Sequence, residues 1–180
     1  HVVHNGVDTK RFRPADGAAV RHELGIPVQC PVVGAFGNFK KQKNHAMLIR
    51  AFKRVLETWP NSRLLLVGDK VVDSMDSSNG YRIQLERLID ELNIRHSCMF
   101  LGHRNDPEFL YPACDVTVLS SLHEGTPNVL LESMACGVPV IATDVCDNHY
   151  IVKDPEVGYL VALGDEAEMA LRMKEILNDN

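Results

Sequence analysis

Residues 32–67 read VVGAFGNFKKQKNHAMLIRAFKRVLETWPNSRLLLV, two short apolar runs with one amphipathic stretch between them. The outer runs, 32–36 and 63–67, have the length and apolar character of buried strands. Between them Leu48, Phe52, Val55 and Trp59 recur at gaps of 4, 3 and 4, which puts all four on one face of a helix. Asn44 stands where an N-cap is expected, and Pro60-Asn61 stops the run. The remainder of the chain repeats this unit. Further strands are expected at 98–101, 115–119, 138–142 and 158–162, six in all. Tyr81, Leu85, Leu88 and Leu92 repeat the 4, 3, 4 spacing after Asn79-Gly80. Asp106-Pro107 reads as N-cap and N1 proline of a short helix that Pro112 ends, and Thr126-Pro127 repeats the device for a helix running to Gly137. Met169, Met173 and Ile176 mark a last helix over 165–177. Strict alternation with short connections predicts a doubly wound, Rossmann-like α/β domain: a parallel sheet of about six strands with helices on both faces. Ligands of such folds sit beyond the carboxyl ends of the strands, where strand order reverses. Chemistry is therefore sought in the loops that follow strands. The one long polar loop, Asp69 to Gly80, reads as a flap or an insertion.

Composition sets the outer bounds. With 180 residues and 45% hydrophobic content, the chain can fill one packed core. Nineteen basic and 24 acidic residues leave a net charge of −5, which argues against coating nucleic acid, since that depends on a positive field. The five cysteines (Cys30, Cys98, Cys114, Cys136, Cys146) are odd in number and contain no C-x-x-C pair, a pattern that suits reduced thiols in a cytoplasmic protein. No run approaches the roughly 18 apolar residues of a membrane span. The chain starts at His1 rather than Met, which suggests a piece of a longer protein.

The segment after the fourth expected strand carries the most chemistry: SSLHEGTPNVLLESMACGVPV over 120–140. Glu124 falls in the loop before a helix, whereas Glu132 falls inside it among Val129, Leu130, Leu131, Met134 and Ala135. A carboxylate on that surface needs partners. Vicinal hydroxyls of a ribose or hexose would supply two donors, and the free N–H groups of residues 125–129 would receive a phosphate or sugar oxygen. The plainer alternative is that Glu132 pairs locally and Glu124 is solvated.

The run from Glu124 to Asp144, with Glu124-x7-Glu132 at its head, resembles the signature of the family-4 (group 1) retaining glycosyltransferases of the GT-B fold. The resemblance covers nearly the whole chain. His4-Asn5-Gly6-Val7-Asp8 with Phe12-Arg13-Pro14 looks like the segment by which that family enters its C-terminal, donor-binding domain, and Phe100-Leu101-Gly102 and Asp115 to Ser120 fall where the family places them. Residues 1–180 are thus expected to be that domain, with 1–14 an entry segment from a missing N-terminal acceptor domain. The resemblance implies a nucleotide-diphosphate sugar as donor, no essential metal or cofactor, and a cytoplasmic site of action, with any peripheral membrane association at the cytoplasmic face supplied by the missing domain.

Site residues follow by position. Gly37-Asn38-Phe39-Lys40-Lys41-Gln42-Lys43-Asn44 looks like the family's G-R-L-x-x-x-K-G/N loop, so Lys43 is expected on the diphosphate. Glu124 would position the donor sugar and Glu132 would anchor the ribose. Gly37, Asn38, Gly125, Thr126, Pro127, Asn128 and Val129 would line the donor site, and His103 the nucleobase pocket. Two departures stand out. Asn38 replaces the family's arginine, leaving Lys40 or Lys41 as substitutes, and Cys146-Asp147 with Tyr150 replace a G-G-x-x-E loop. The eight histidines show neither H-x3-H nor H-E-x2-H spacing, so no metal site is expected. A nicotinamide-binding domain is disfavoured because Gly34-x-x-Gly37-x-x-Lys40 is not G-x-G-x-x-G, although Asp69 imitates its acidic residue; a P-loop is absent. A non-catalytic module that binds sugar nucleotide or a partner protein stays open as the alternative.

Overall fold

The computed structural model describes residues 5–69 and 78–178. Six strands, β1 (Val32–Phe36), β2 (Arg63–Val67), β3 (Cys98–Gly102), β4 (Val116–Leu119), β5 (Val140–Thr143) and β6 (Gly158–Val161), form one sheet in the order β3-β2-β1-β4-β5-β6. Every pairing is parallel. The helices are α1 (Ala18–Glu23), α2 (His45–Val55), α3 (Ser78–Glu91), α4 (Pro107–Leu110), α5 (Asn128–Ala135), α6 (Asn148–Ile151) and α7 (Glu166–Asn178).

Period-2 alternation explains why both faces of the sheet are covered. Val33, Ala35, Leu64, Leu66, Val116 and Ile141 share a cluster with residues of α2, α3 and α7. Their neighbours Val32, Phe36, Leu65 and Val67 turn to the other face, against Val20 of α1, Leu110 of α4 and the residues just after α5. A smaller cluster under α5 and α6 joins Leu119, Val140 and Ala142 to Leu130 and Val152. Strands buried on two sides are apolar at nearly every position, as Val32–Phe36 and Leu64–Val67 are, and the buried Thr117 of β4 has its hydroxyl bonded by Ser133 Oγ at 2.9 Å.

The differences lie at element ends. The fifth strand begins at Val140 rather than 138, because Val138 belongs to the turn whose N–H bonds back to Ser133 O at 3.1 Å. Pro127 is the N-cap of α5 and not its first helical residue, and α3 starts at Ser78, so Asn79-Gly80 lies inside it. Helices α1 and α6 were not anticipated; at 6 and 4 residues they are too short to show a period. The polar loop expected over 69–80 lies mostly outside the described residues. No described helix is long and apolar enough to cross a membrane.

Candidate functional site

Strand order reverses between β1 and β4, and the loops leaving those two strands meet at their carboxyl ends. Gly37 follows β1 with φ +141, and Gly68 follows β2 with φ +154. A Cβ on Gly68 would stand 2.0 Å from the Gly37 carbonyl oxygen, so the two chains can cross only as glycine. A Cβ on Gly37 would come within 3.4 Å of Lys43 Cε; without it the lysine stem lies close against the backbone. A 3-10 turn over Lys41–Lys43 then leads into α2 through Asn44.

Asn44 is the N-cap, but by a different device from the one expected. It adopts the left-handed conformation (φ 47, ψ 41) and its side chain caps nothing. Tyr81, arriving from α3, lies beside this start, with its ring 6.2 Å from that of His45. Ser120 Oγ lies 3.0 Å from both the Lys43 and Asn44 carbonyl oxygens and bonds the turn from the β4 side. The Leu122 N–H donates to Gln42 O at 2.8 Å, and Gln42 Nε2 donates to His123 O at 2.8 Å. Thr143 Oγ1 ties Ser121 O to the end of β5 at 2.6 Å.

Fixed in this way, the two loops bring Lys43 Nζ to 2.5 Å from Glu124 Oε1. Ser121 Oγ donates to the same oxygen at 2.5 Å. The Glu124 side chain is only 8% exposed, which overturns the reading of it as solvated. Immediately beyond it, Gly125 is exposed, Thr126 and Val129 are half-buried, Pro127 is buried and Asn128 is exposed. Asn5 Nδ2 donates to Thr126 O and Asn128 Oδ1, at 3.3 and 3.1 Å, so the entry segment touches this loop. Among the described residues nothing accepts the N–H groups of Gly125, Thr126, Asn128 and Val129. They form the electropositive start of α5.

Glu132, further along α5, has a partner that sequence spacing did not reveal. Tyr111 OH donates to its Oε2 at 2.8 Å across a separation of 21 residues. Burial, the Glu132 charge and that bond hold the Tyr111 phenol well above its ordinary pKa. Among the described residues Glu132 Oε1 accepts no hydrogen bond.

Among the described residues the remaining expected ones make no side-chain hydrogen bond or ion pair with Lys43 or Glu124. Asn38 is exposed and its Oδ1 accepts the Asp69 N–H at 3.4 Å, so no cation stands where the resemblance places an arginine. Lys40 and Lys41 are exposed, without a side-chain partner among the described residues. His103 is exposed on the loop after the edge strand β3, with Nε2 2.9 Å from Asn105 Oδ1. That loop is joined to the entry segment through Arg11, which reaches Asn105 O at 3.2 Å and Glu108 at 2.8 Å. After β5, Cys146 has φ +48, so the backbone keeps a glycine-like conformation where the family's glycine pair is replaced. A cleft of about 580 Å³ lies between this loop and α5, lined by Leu131, Met134, Tyr150 and Lys153 among others. Among the described residues no group of three or more His, Cys, Asp or Glu is placed to hold a metal ion.

Sequence reasoning missed Ser121, Gln42 and Tyr111. A hydroxyl three residues before a carboxylate is a weak signal for Ser121; for the other two the contact is made only by the fold.

Residues 18–180 match the family of glycosyl transferases group 1. The chain is 32% identical to the lipopolysaccharide core biosynthesis glycosyltransferase LpsE of Rhizobium meliloti, over 99% of this chain and 48% of that protein. The structure of Anabaena Alr3699/HepE in complex with UDP superposes with a TM-score of 0.90 at 28% identity, over 99% of this chain and 48% of that one. The C-terminal domain of a glycosyl transferase group 1 family protein (LpcC) from Francisella tularensis superposes at 0.76 with 25% identity, over 97% of this chain and 98% of that one. This chain spans about half the length of the curated relatives it matches. Its six-stranded parallel sheet is the Rossmann-like half of a GT-B architecture, and the chain belongs to the group 1 glycosyl transferases.

Proposed function

We propose that this chain is the donor-binding domain of a retaining glycosyltransferase, which moves a sugar from a nucleotide-diphosphate sugar to an acceptor hydroxyl. One observation carries the reading: an ammonium, a shielded carboxylate and a run of unaccepted backbone N–H groups converge at the switch point of the sheet. The diphosphate is placed at the start of α5, where N–H groups and the helix dipole favour negative charge. Lys43 has three N–H donors and Glu124 uses one, so two are left for the departing phosphate. Glu124, oriented by Lys43 and Ser121, would accept hydroxyls of the donor sugar. Glu132 would take the ribose hydroxyls. That the similar Alr3699/HepE structure is a complex with UDP supports a nucleotide as the ligand of this reading.

In the front-face reaction the bond from the anomeric carbon to the diphosphate oxygen breaks, and its electron pair leaves with the diphosphate. The acceptor oxygen bonds to the same face of that carbon, and its proton passes to the departing phosphate. Lys43 and the α5 amides lower the barrier by meeting the charge as it develops. An N-terminal domain would supply the acceptor pocket and the closure that excludes water.

A thermal-shift panel of nucleoside diphosphates and their sugars tests the reading, because a ligand that binds only the folded state raises stability with its concentration. Stabilisation by diphosphates and not by the matching nucleosides is expected. Stabilisation by none of them would leave a partner-binding module as the better account.

A further inference from the structure

Among the described residues Tyr111 is the largest fully buried side chain, only 1% exposed, and its one polar atom is spent on Glu132. Its ring is held from two sides: Phe36, the last residue of β1, stacks on it at 4.0 Å between centroids, and Phe12 of the entry segment meets it edge-on at 6.0 Å. The turn that carries it is equally fixed. Arg21 Nε donates to Ala113 O at 3.0 Å, and Gly17 packs so closely that a Cβ there would stand 2.3 Å from Pro112 O. A phenol so placed cannot swing away from Glu132, and because its pKa is raised it keeps the proton it donates.

A carboxylate on a helix otherwise rotates about its last bonds, and a hydroxyl donor at one oxygen removes that freedom. Oε2 is pinned, and Oε1 is left as the open acceptor with no partner among the described residues. Two hydroxyls on adjacent carbons match two oxygens of one carboxylate only when the carboxylate plane is set. We propose that Tyr111 is a positioning residue that sets the plane of Glu132 so that the site distinguishes a ribose, with its vicinal 2′- and 3′-hydroxyls, from a 2′-deoxyribose. The inference rests on the donor reading above and adds to it the origin of sugar discrimination in the nucleoside.

The test is calorimetric binding of UDP and 2′-deoxy-UDP to the wild type, Tyr111→Phe and Glu132→Gln, with GDP and ADP and their 2′-deoxy forms as the pair if either binds more tightly. Tyr111→Phe keeps the ring and its stacking, and a melting curve checks that the fold is kept. The wild type is expected to prefer the ribonucleotide. Tyr111→Phe is expected to weaken UDP by roughly three- to tenfold, the range of one hydrogen bond, and to leave 2′-deoxy-UDP nearly unchanged, so that the preference shrinks. Glu132→Gln should abolish most of the preference. If Glu132→Gln loses the preference while Tyr111→Phe keeps it, or loses both ligands equally, Tyr111 has only a packing role and the inference is overturned with the donor reading intact. If Glu132→Gln keeps the preference, or no nucleoside diphosphate binds, the assignment of Glu132 to ribose falls and this inference with it.

Discussion

Lys43 and Glu124 form a pair in which each side chain is mostly shielded, and neither can be removed without leaving the other short of a partner. Lys43→Ala is expected to weaken a nucleoside diphosphate far more than the corresponding nucleoside, and the difference should narrow as added salt screens the attraction. Equal losses for both ligands, measured by calorimetry, would remove Lys43 from the diphosphate. If Lys40→Ala or Lys41→Ala has the larger effect, the loop has been matched a few residues out of register. His45, two residues on, offers a separate test. It is 4% exposed, its Nδ1 has no partner among the described residues, and burial, with the nearby Lys43 charge, pulls its pKa from 6.5 to about 4. Below pH 6.5 the unfolded chain takes up a proton that the folded chain refuses until about pH 4, so stability is level above that window and falls as pH drops through it. The loss approaches about 3 kcal/mol. Urea denaturation of His45→Leu should show a smaller decline between about pH 7 and pH 4.5 than the wild type; equal declines would contradict this. At this scale the sequence displayed the charged members of the site, because carboxylates and lysines are conspicuous in apolar or glycine-rich surroundings. Tyr111 and Gln42 were hidden because a tyrosine or glutamine in isolation has no pattern, and their partners lie 21 and 81 residues away.

Arg21 shows how a short element can hold two longer ones. From α1 its guanidinium donates to the carbonyls of Ala113, Val28 and Cys30 and to Asp115 Oδ1, while Asp115 Oδ2 accepts the Val32 N–H at 2.7 Å. One side chain thereby fastens the starts of β1 and β4, the two strands whose far ends carry Lys43 and Glu124. Arg21→Met should lower stability by about 3–5 kcal/mol, because three carbonyls and a carboxylate lose their donor together. Chemical denaturation would show it, and a cost below about 1 kcal/mol would mean that water replaces the guanidinium readily. The six strands and the long helices were legible because each repeats its apolar residues over enough positions to define a period. Helix α1 was not, since its six residues, AAVRHE, bury only Val20 and the arginine itself. The start of α5 was displaced by one residue because a proline serves as N-cap or as first helical residue with the same letters around it.

The described residues form one parallel sheet with helices on both faces, and the proposed donor site lies on one wall of it, at the carboxyl ends of β1 and β4. A GT-B active site lies between two such domains, so this chain is expected to bind donor and not to transfer sugar by itself. Proximity contributes roughly 7–11 kcal/mol in well-oriented systems, and a half-site forgoes most of it. Sugar transfer by this chain at a rate near that of a protein carrying both domains would contradict the half-site account. The decisive measurement is a calorimetric titration of nucleotide-diphosphate sugar into the 180-residue chain, its Glu132→Gln variant and its Lys43→Ala variant. Saturable binding at one site is expected for the wild type, with the loss of about 1.5–3 kcal/mol appropriate to a hydrogen bond with a charged group in Glu132→Gln, and a loss in Lys43→Ala that high salt reduces. Binding unchanged in both folded variants, or absent from the wild type for every nucleotide sugar tried, would contradict the donor site drawn here.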